Sequence, residues 1–218
     1  MEDAHEDFGV ILTATLTLLC LILGFAFSMA VARYDQRKLY EEQEANAIGT
    51  EYLRMDLLQL SDDENPKTLL REYLDQRVLF YQTRDPERMR HIDAATAQLQ
   101  IKLWASVRGP SLAQQTPMTA LAVSGLNQVF DSKGSSQAAW RNRIPIAAWA
   151  LMGVIAIAGN IMIGLYLRHF GLHGILLTVL PAIVSLSFLL IADIDSPRGG
   201  LIHIKPDNLI SVAQSWGS

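Results

Sequence analysis

Cysteine occurs once in this chain, at Cys20. A single thiol forms no intrachain disulfide, so cysteine usage says nothing of the redox compartment. Paired cysteines, a Walker loop and a His-Glu-x-x-His helix are all missing. Their absence removes the usual signatures of structural zinc, nucleotide and metalloprotease chemistry. The histidines His5, His91, His169, His173 and His203 are scattered. His169 and His173 stand four apart, but with no third ligand nearby interfacial polarity is preferred over a metal pair. No catalytic centre, metal or cofactor is expected. A basic excess is also lacking. The 18 Lys and Arg residues against 22 Asp and Glu leave a net charge of -4. That balance offers no positive field for nucleic acid, which is not expected as a partner.

The most telling lack is local. Phe8 to Ala32, Ile144 to Leu167 and Gly174 to Ala192 each run roughly 20 residues without Asp, Glu, Lys or Arg, long enough to cross a hydrocarbon core. A chain of 218 residues has no interior to bury three such helices. An all-α integral membrane protein with three transmembrane helices is expected. Membrane lipid is then one of its partners. No Lys or Arg precedes Phe8, whereas a cleaved signal peptide needs a basic start and a shorter core, so a retained helix is expected. Arg33, Arg37 and Lys38 follow the first run, Arg141 and Arg143 precede the second, and Arg198 and Lys205 follow the third. Only Arg168 sits between the second and third. The positive-inside rule then places the N-terminus outside and the C-terminus in the cytoplasm.

Four regions follow. Residues 1–32 hold the external N-terminus and first span, 33–143 a cytoplasmic helical block, 144–192 the other two spans, and 193–218 a cytoplasmic tail. In the block, Asn65-Pro66, Asp85-Pro86 and Thr116-Pro117 each set a capping side chain before a proline, which marks helix starts. Ile144-Pro145 repeats the proline at the second span. Ile48, Tyr52 and Met55 share a helical face beside Leu53, Leu57 and Leu60; Leu70 and Leu74, and Ile92, Leu99 and Leu103, recur likewise. No turn signal separates Ala32 from Lys38. The first span is therefore expected to continue as one long helix to about Leu60, with a bend allowed at Gly49. Ser106 to Gln115 and Asp131 to Ala138 read as loops. The acidic run Glu41, Glu42 and Glu44 reads as a solvated face.

Within the first run, Thr13, Thr17, Cys20, Gly24 and Ser28 lie at spacings that keep one helical face. Ala150, Gly153, Ala156, Asn160 and Gly164 do so in the second, and Thr178, Ala182 and Ser185 lie beside Pro181 in the third. Such stripes serve close helix packing or line a water-filled path, and both readings stand. Asn160 is the most telling intramembrane polar residue, because its carboxamide must find partners at depth. Cys20 and Tyr166 are the only ionisable side chains in the spans, which argues against ion-coupled transport but not against a passive pore. Asp193 and Asp195 close the third span, where carboxylates oppose the helix dipole. An ion-pair lock with Arg141, Arg143 or Arg33 is expected there in preference to a cation.

Three segments carry a resemblance. Glu41 to Leu58 (EEQEANAIGTEYLRMDLL), Leu69 to Tyr73 (LLREY) and Asp193 to Gly200 (DIDSPRGG) together resemble the bacterial bestrophin-like family across essentially the whole chain. Glu42, Asn46, Gly49 and Arg54 are the residues of the first motif. The chain departs from the family at Arg198, where an aromatic residue often follows the proline. The resemblance implies remote kinship to bestrophins, which are homo-oligomeric, mostly pentameric, ion channels, many of them anion-conducting. The expectation is then a homo-oligomeric channel of the bacterial inner membrane. Its partners are identical subunits and small ions, and Thr13, Thr17, Gly24 and Ser28 line the pore. The rival is a membrane-anchored sensor or scaffold whose helical block binds a partner.

Overall fold

The computed structural model describes residues 2–58, 65–113, 115–169 and 175–217. Among them every regular element is helical: α1 Glu2–Arg54, α2 Pro66–Gln82, α3 Pro86–Ala113, α4 Pro117–Arg141, α5 Ile146–His169, α6 Ile175–Asp195 and α7 Asp207–Ser215. Three helical stretches are long and apolar enough to cross a membrane. His173 and the turn around it lie outside the described residues, as do the side chains of His5, Arg168 and His169, so the possible histidine pair does too.

The proline signals act as their chemistry requires. Asn65 accepts from the Lys67 N–H at 3.0 Å, Asp85 from the Glu87 N–H at 3.1 Å, and Thr116 from the Thr119 N–H at 3.2 Å. Each cap satisfies a donor that the first helical turn leaves open. α1 runs through Gly49 without interruption and closes at Arg54 with a 3-10 turn, Met55–Leu57. It thus ends slightly before the expected Leu60.

Two expected loops are helix instead. Residues 106–113 belong to α3, and 131–138 to α4. Serine accounts for much of the misreading. The hydroxyls of Ser106, Ser111, Ser132 and Ser136 donate to carbonyls three or four residues back, at 2.7 to 3.0 Å. They are thereby satisfied within the helix rather than competing with it. Buried Val107 and Val129 anchor the same turns.

The chain divides into two compact units. The first, Met1–Tyr34 with Arg143–Ile202, holds the apolar part of α1 with α5 and α6. Its core is Ala26, Ala30, Ile144, Met152, Ile191 and Ile194, with a second cluster at Leu19, Ala156 and Val184. Small residues let the helices close. A Cβ on Gly159 would meet Leu16 and Thr15 at 3.5 and 3.8 Å.

The second unit, Asp35–Asn142 with His203–Ser218, holds the polar part of α1 with α2, α3, α4 and α7. Leu70, Leu74, Leu103, Leu126 and Leu209 are fully buried there. Phe80, Tyr81 and Trp140 meet edge to face, with centroids 5.3 to 5.5 Å apart. α7 docks by stacking Trp216 on Tyr52 at 4.0 Å, while Arg71 donates to the Trp216 carbonyl. The residues after Lys205, read from sequence only as a tail, therefore include a packed helix.

Candidate pore-lining face and buried charge network

In the apolar unit α1 turns Leu12, Leu19, Ala26 and Ala30 inward. Thr13, Thr17, Cys20, Gly24 and Ser28 face away from the chain's own core and are exposed. Nothing lies within 4 Å of where a Gly24 side chain would be. The Thr13 hydroxyl donates to the Gly9 carbonyl and the Thr17 hydroxyl to the Thr13 carbonyl, both at 2.8 Å. Each hydroxyl proton is thus used on its own helix. The oxygen lone pairs remain turned outward, where they can accept from water or meet a cation. Among the described residues, packing within this chain does not use the stripe. An open, mainly apolar hollow of about 1040 Å³ lies along the start of α1, bordered by Gly9, Thr13, Thr17 and Tyr166.

The α5 stripe behaves differently. Ala156 is buried in the second cluster, and Gly153, Asn160 and Gly164 are half-buried. The Asn160 amide donates to the Ala156 carbonyl at 2.8 Å, and its buried Oδ1 has no hydrogen-bond partner. In α6, Ala182 and Ser185 are exposed, and the helix passes through Pro181 unbroken.

The carboxylates ending α6 separate in role. Asp195 is buried, lies 3.6 Å from Arg33, and accepts from the Ile144 N–H at 3.0 and 3.2 Å. Asp193 instead accepts from the N–H groups of Leu201 and Ile202, at 2.7 and 2.8 Å. The chain wraps so closely over Asp193 that Gly200 takes φ 104°, and a Cβ there would overlap the carboxylate. Arg141 and Arg143 are exposed. Of the expected lock the structure contains Arg33–Asp195. Asp193 serves instead as a loop cap, held by two backbone donors.

The acidic run 41–44 departs from its reading as a solvated face. Glu42 is exposed, but Glu41 and Glu44 are 1% and 0% exposed. The reason is specific partnering. Glu41 accepts from the Leu209 N–H at 3.0 Å and from the Asn208 amide at 2.6 Å, which caps α7. Glu44 takes a two-pronged bond from Arg77 and a third from the Tyr81 hydroxyl at 3.0 Å. Arg77 also donates to Ser136 at 3.1 Å and lies 4.3 Å over the Phe80 ring. Arg37, also buried, donates to the carbonyls of Ala139 and Asn142, at 3.1 and 2.8 Å, and so caps the end of α4.

Burial raises the Glu41 pKa against its amide donors. For Arg77 burial works against the charge, and the Glu44 carboxylate more than restores it. Burial pushes the Tyr73 and Tyr81 phenols upward, with Glu44 adding to the effect. Lys133, which donates to Gln100 at 2.9 Å, is lowered by burial and then by Arg77. A buried ion pair adds little net stability, but removing one partner strands the other. The network joins α1, α2 and α4 through Glu44, Arg77 and Ser136.

The motif residues take separate places in the polar unit. Glu42 and Asn46 are exposed, and Asn46 lines a polar groove of about 450 Å³ with Gln43, Thr50, Gln128, Asp131 and Ser135. Gly49 packs on Val212, and Arg54 approaches Gly125 beside Glu51. Arg37, Arg77 and Glu51 were missed by sequence reasoning. For Arg37 and Glu51 a seven-residue count from Ala30 through Arg37, Glu44 and Glu51 to Leu58 was the available signal, since all five are buried.

The class is thus a helical membrane protein with three apolar spans and a mixed, charge-cored helical unit. A family model for the Bestrophin-like domain matches residues 2–209, and the chain belongs to the bestrophin-like family. Solved structures agree in fold. One described as a bacterial bestrophin homolog from Klebsiella pneumoniae is 14% identical, with a TM-score of 0.64 over 94% of this chain and 87% of that one. A single-residue variant of such a homolog is 14% identical and scores 0.70 over 94% and 85%. A structure described only as a membrane protein is 12% identical and scores 0.73 over 94% and 84%. No match was found among curated proteins.

Proposed function

We propose that this chain is one subunit of a homo-oligomeric ion channel of the bacterial inner membrane. In this reading α1 lines the conduction path through Thr13, Thr17, Gly24 and Ser28. The observation that carries it is the division of labour on α1. Leu12, Leu19, Ala26 and Ala30 do the packing, while the hydroxyl and glycine stripe is left unpacked. In lipid a polar stripe is placed against protein or water rather than acyl chains. Three spans cannot enclose a lumen alone, so several copies around an axis must supply the rest. Kinship to bestrophins makes five the first copy number to test and chloride the first ion. The N-terminus is assigned outside, with residues 33–143 and the chain after residue 192 in the cytoplasm, by the arginines and lysines flanking the spans.

The test is the mass of the intact complex in lipid nanodiscs, followed by planar-bilayer recording. A single ring of about four to six copies with conductance altered by Thr17→Val and Ser28→Ala supports the channel. A monomer or dimer removes the symmetric pore. A folded ring without current across salts and voltages leaves a membrane-anchored scaffold, whose polar unit would be tested by partner pull-down.

A further inference from the structure

Glu51 lies on α1 in the polar unit with no exposure, and neither of its carboxyl oxygens has a hydrogen-bond partner. The other buried acids of that unit are answered, Glu41 by the start of α7 and Glu44 by Arg77 and Tyr81. Opposite Glu51, α4 places Gly125. A Cβ there would overlap Glu51 Oε2 and crowd Arg54 Nη1, so the carboxyl occupies the space that the glycine leaves.

The charged groups around it are few. Arg54, three residues on along the same helix, is the one charge acting on Glu51. α4 has no ionisable residue from Pro117 to Phe130. Asp56, in the 3-10 turn, is exposed and paired with Lys67 of α2 at 2.5 Å. Arg71 of α2 is engaged by the Tyr52 hydroxyl and the Trp216 carbonyl. Glu44, two turns back, is held by Arg77. A carboxylate without donors is a poor occupant of a buried seam, whereas a neutral carboxylic acid is a tolerable one. Burial accordingly raises the Glu51 pKa to about 8, with Arg54 offsetting only part of the effect.

We propose that Glu51 is a protonation switch in the α1–α4 seam. Neutral, it lets the seam close over Gly125; on losing its proton it must leave the seam for solvent, loosening α4 from α1. The inference does not depend on ion conduction. The folded form holds the proton more tightly than the unfolded one. Stability is therefore greatest below the ordinary glutamate value of 4.5, falls as pH rises through about 8, and levels off above.

Infrared difference spectroscopy on the full chain in nanodiscs tests this. The expected result is a protonated-carboxyl band at neutral pH that titrates near 8 and is absent in Glu51→Gln. The thermal midpoint of the wild type should fall between about pH 6.5 and 9, and that of Glu51→Gln should stay nearly level. No such band at about pH 6.5, or the same fall in the variant, overturns the switch. Should Glu51→Gln fail to fold, Arg54→Gln decides. Removing the one nearby cation must move the titration to higher pH, and an unmoved titration overturns the proposal.

Discussion

The two parts of α1 bury a helical stripe of different chemistry. In the apolar unit the inward positions are Leu12, Leu19, Ala26 and Ala30; in the polar unit Arg37, Glu41, Glu44 and Glu51 are buried among Ala45, Ala47 and Ile48. Helical periodicity thus decides which positions are inside, and the solvent on the other face decides what may stand there. Where the outward face meets lipid, hydrophobicity cannot direct packing, so small residues and close fit do. Where it meets water, any buried charge needs a partner at fixed geometry, so the seam becomes a set of caps and ion pairs.

That contrast is open to attack from both sides. The largest effect should come from Arg77→Met, which strands Glu44 in the polar unit at a cost of about 3–5 kcal/mol. Adding Glu44→Leu should recover most of the loss in thermal unfolding. Replacing Arg90, exposed and paired with Glu87, should change stability by less than about 0.5 kcal/mol. Equal losses for Arg77 and Arg90 would mean that the buried pair does not register the unit.

Ala30→Leu should cost about 2 kcal/mol, because no space remains beside Ile191 and Ile194. Gly24→Ala on the opposite face should be neutral for the subunit. If Gly24→Ala lowers the oligomer mass instead, the stripe packs against a neighbour at that point. Asp195→Asn should cost about 1–2 kcal/mol in thermal unfolding, by weakening the bonds to the Ile144 N–H and Arg33. Thr17→Val should likewise change stability by no more than about 0.5 kcal/mol, while single-channel conductance changes. A change in subunit stability with unaltered current would move Thr17 from a lining to a packing role.

Legibility followed the same division. The three spans were plain because a run without charge admits few other readings. Helix starts at Pro66, Pro86 and Pro117 were plain because caps are local chemistry. The serine-rich stretches at 106–115 and 131–138 misled because composition does not show hydroxyls turned back onto helix carbonyls. Glu41 and Glu44 misled because burial of an acid depends on partners distant in sequence: Asn208 and Leu209 for one, Arg77 and Tyr81 for the other.

The amino-acid sequence by itself determined the helical class, the number of spans, the helix starts and the stripe Thr13, Thr17, Cys20, Gly24 and Ser28, because these depend on residue type and local spacing. Only the tertiary structure decided that this stripe is left unpacked by the described residues, that Arg33 meets Asp195, and that Glu51 lies unanswered against Gly125. Each of those depends on which groups distant in sequence come close to a side chain and which do not, and no local rule supplies that.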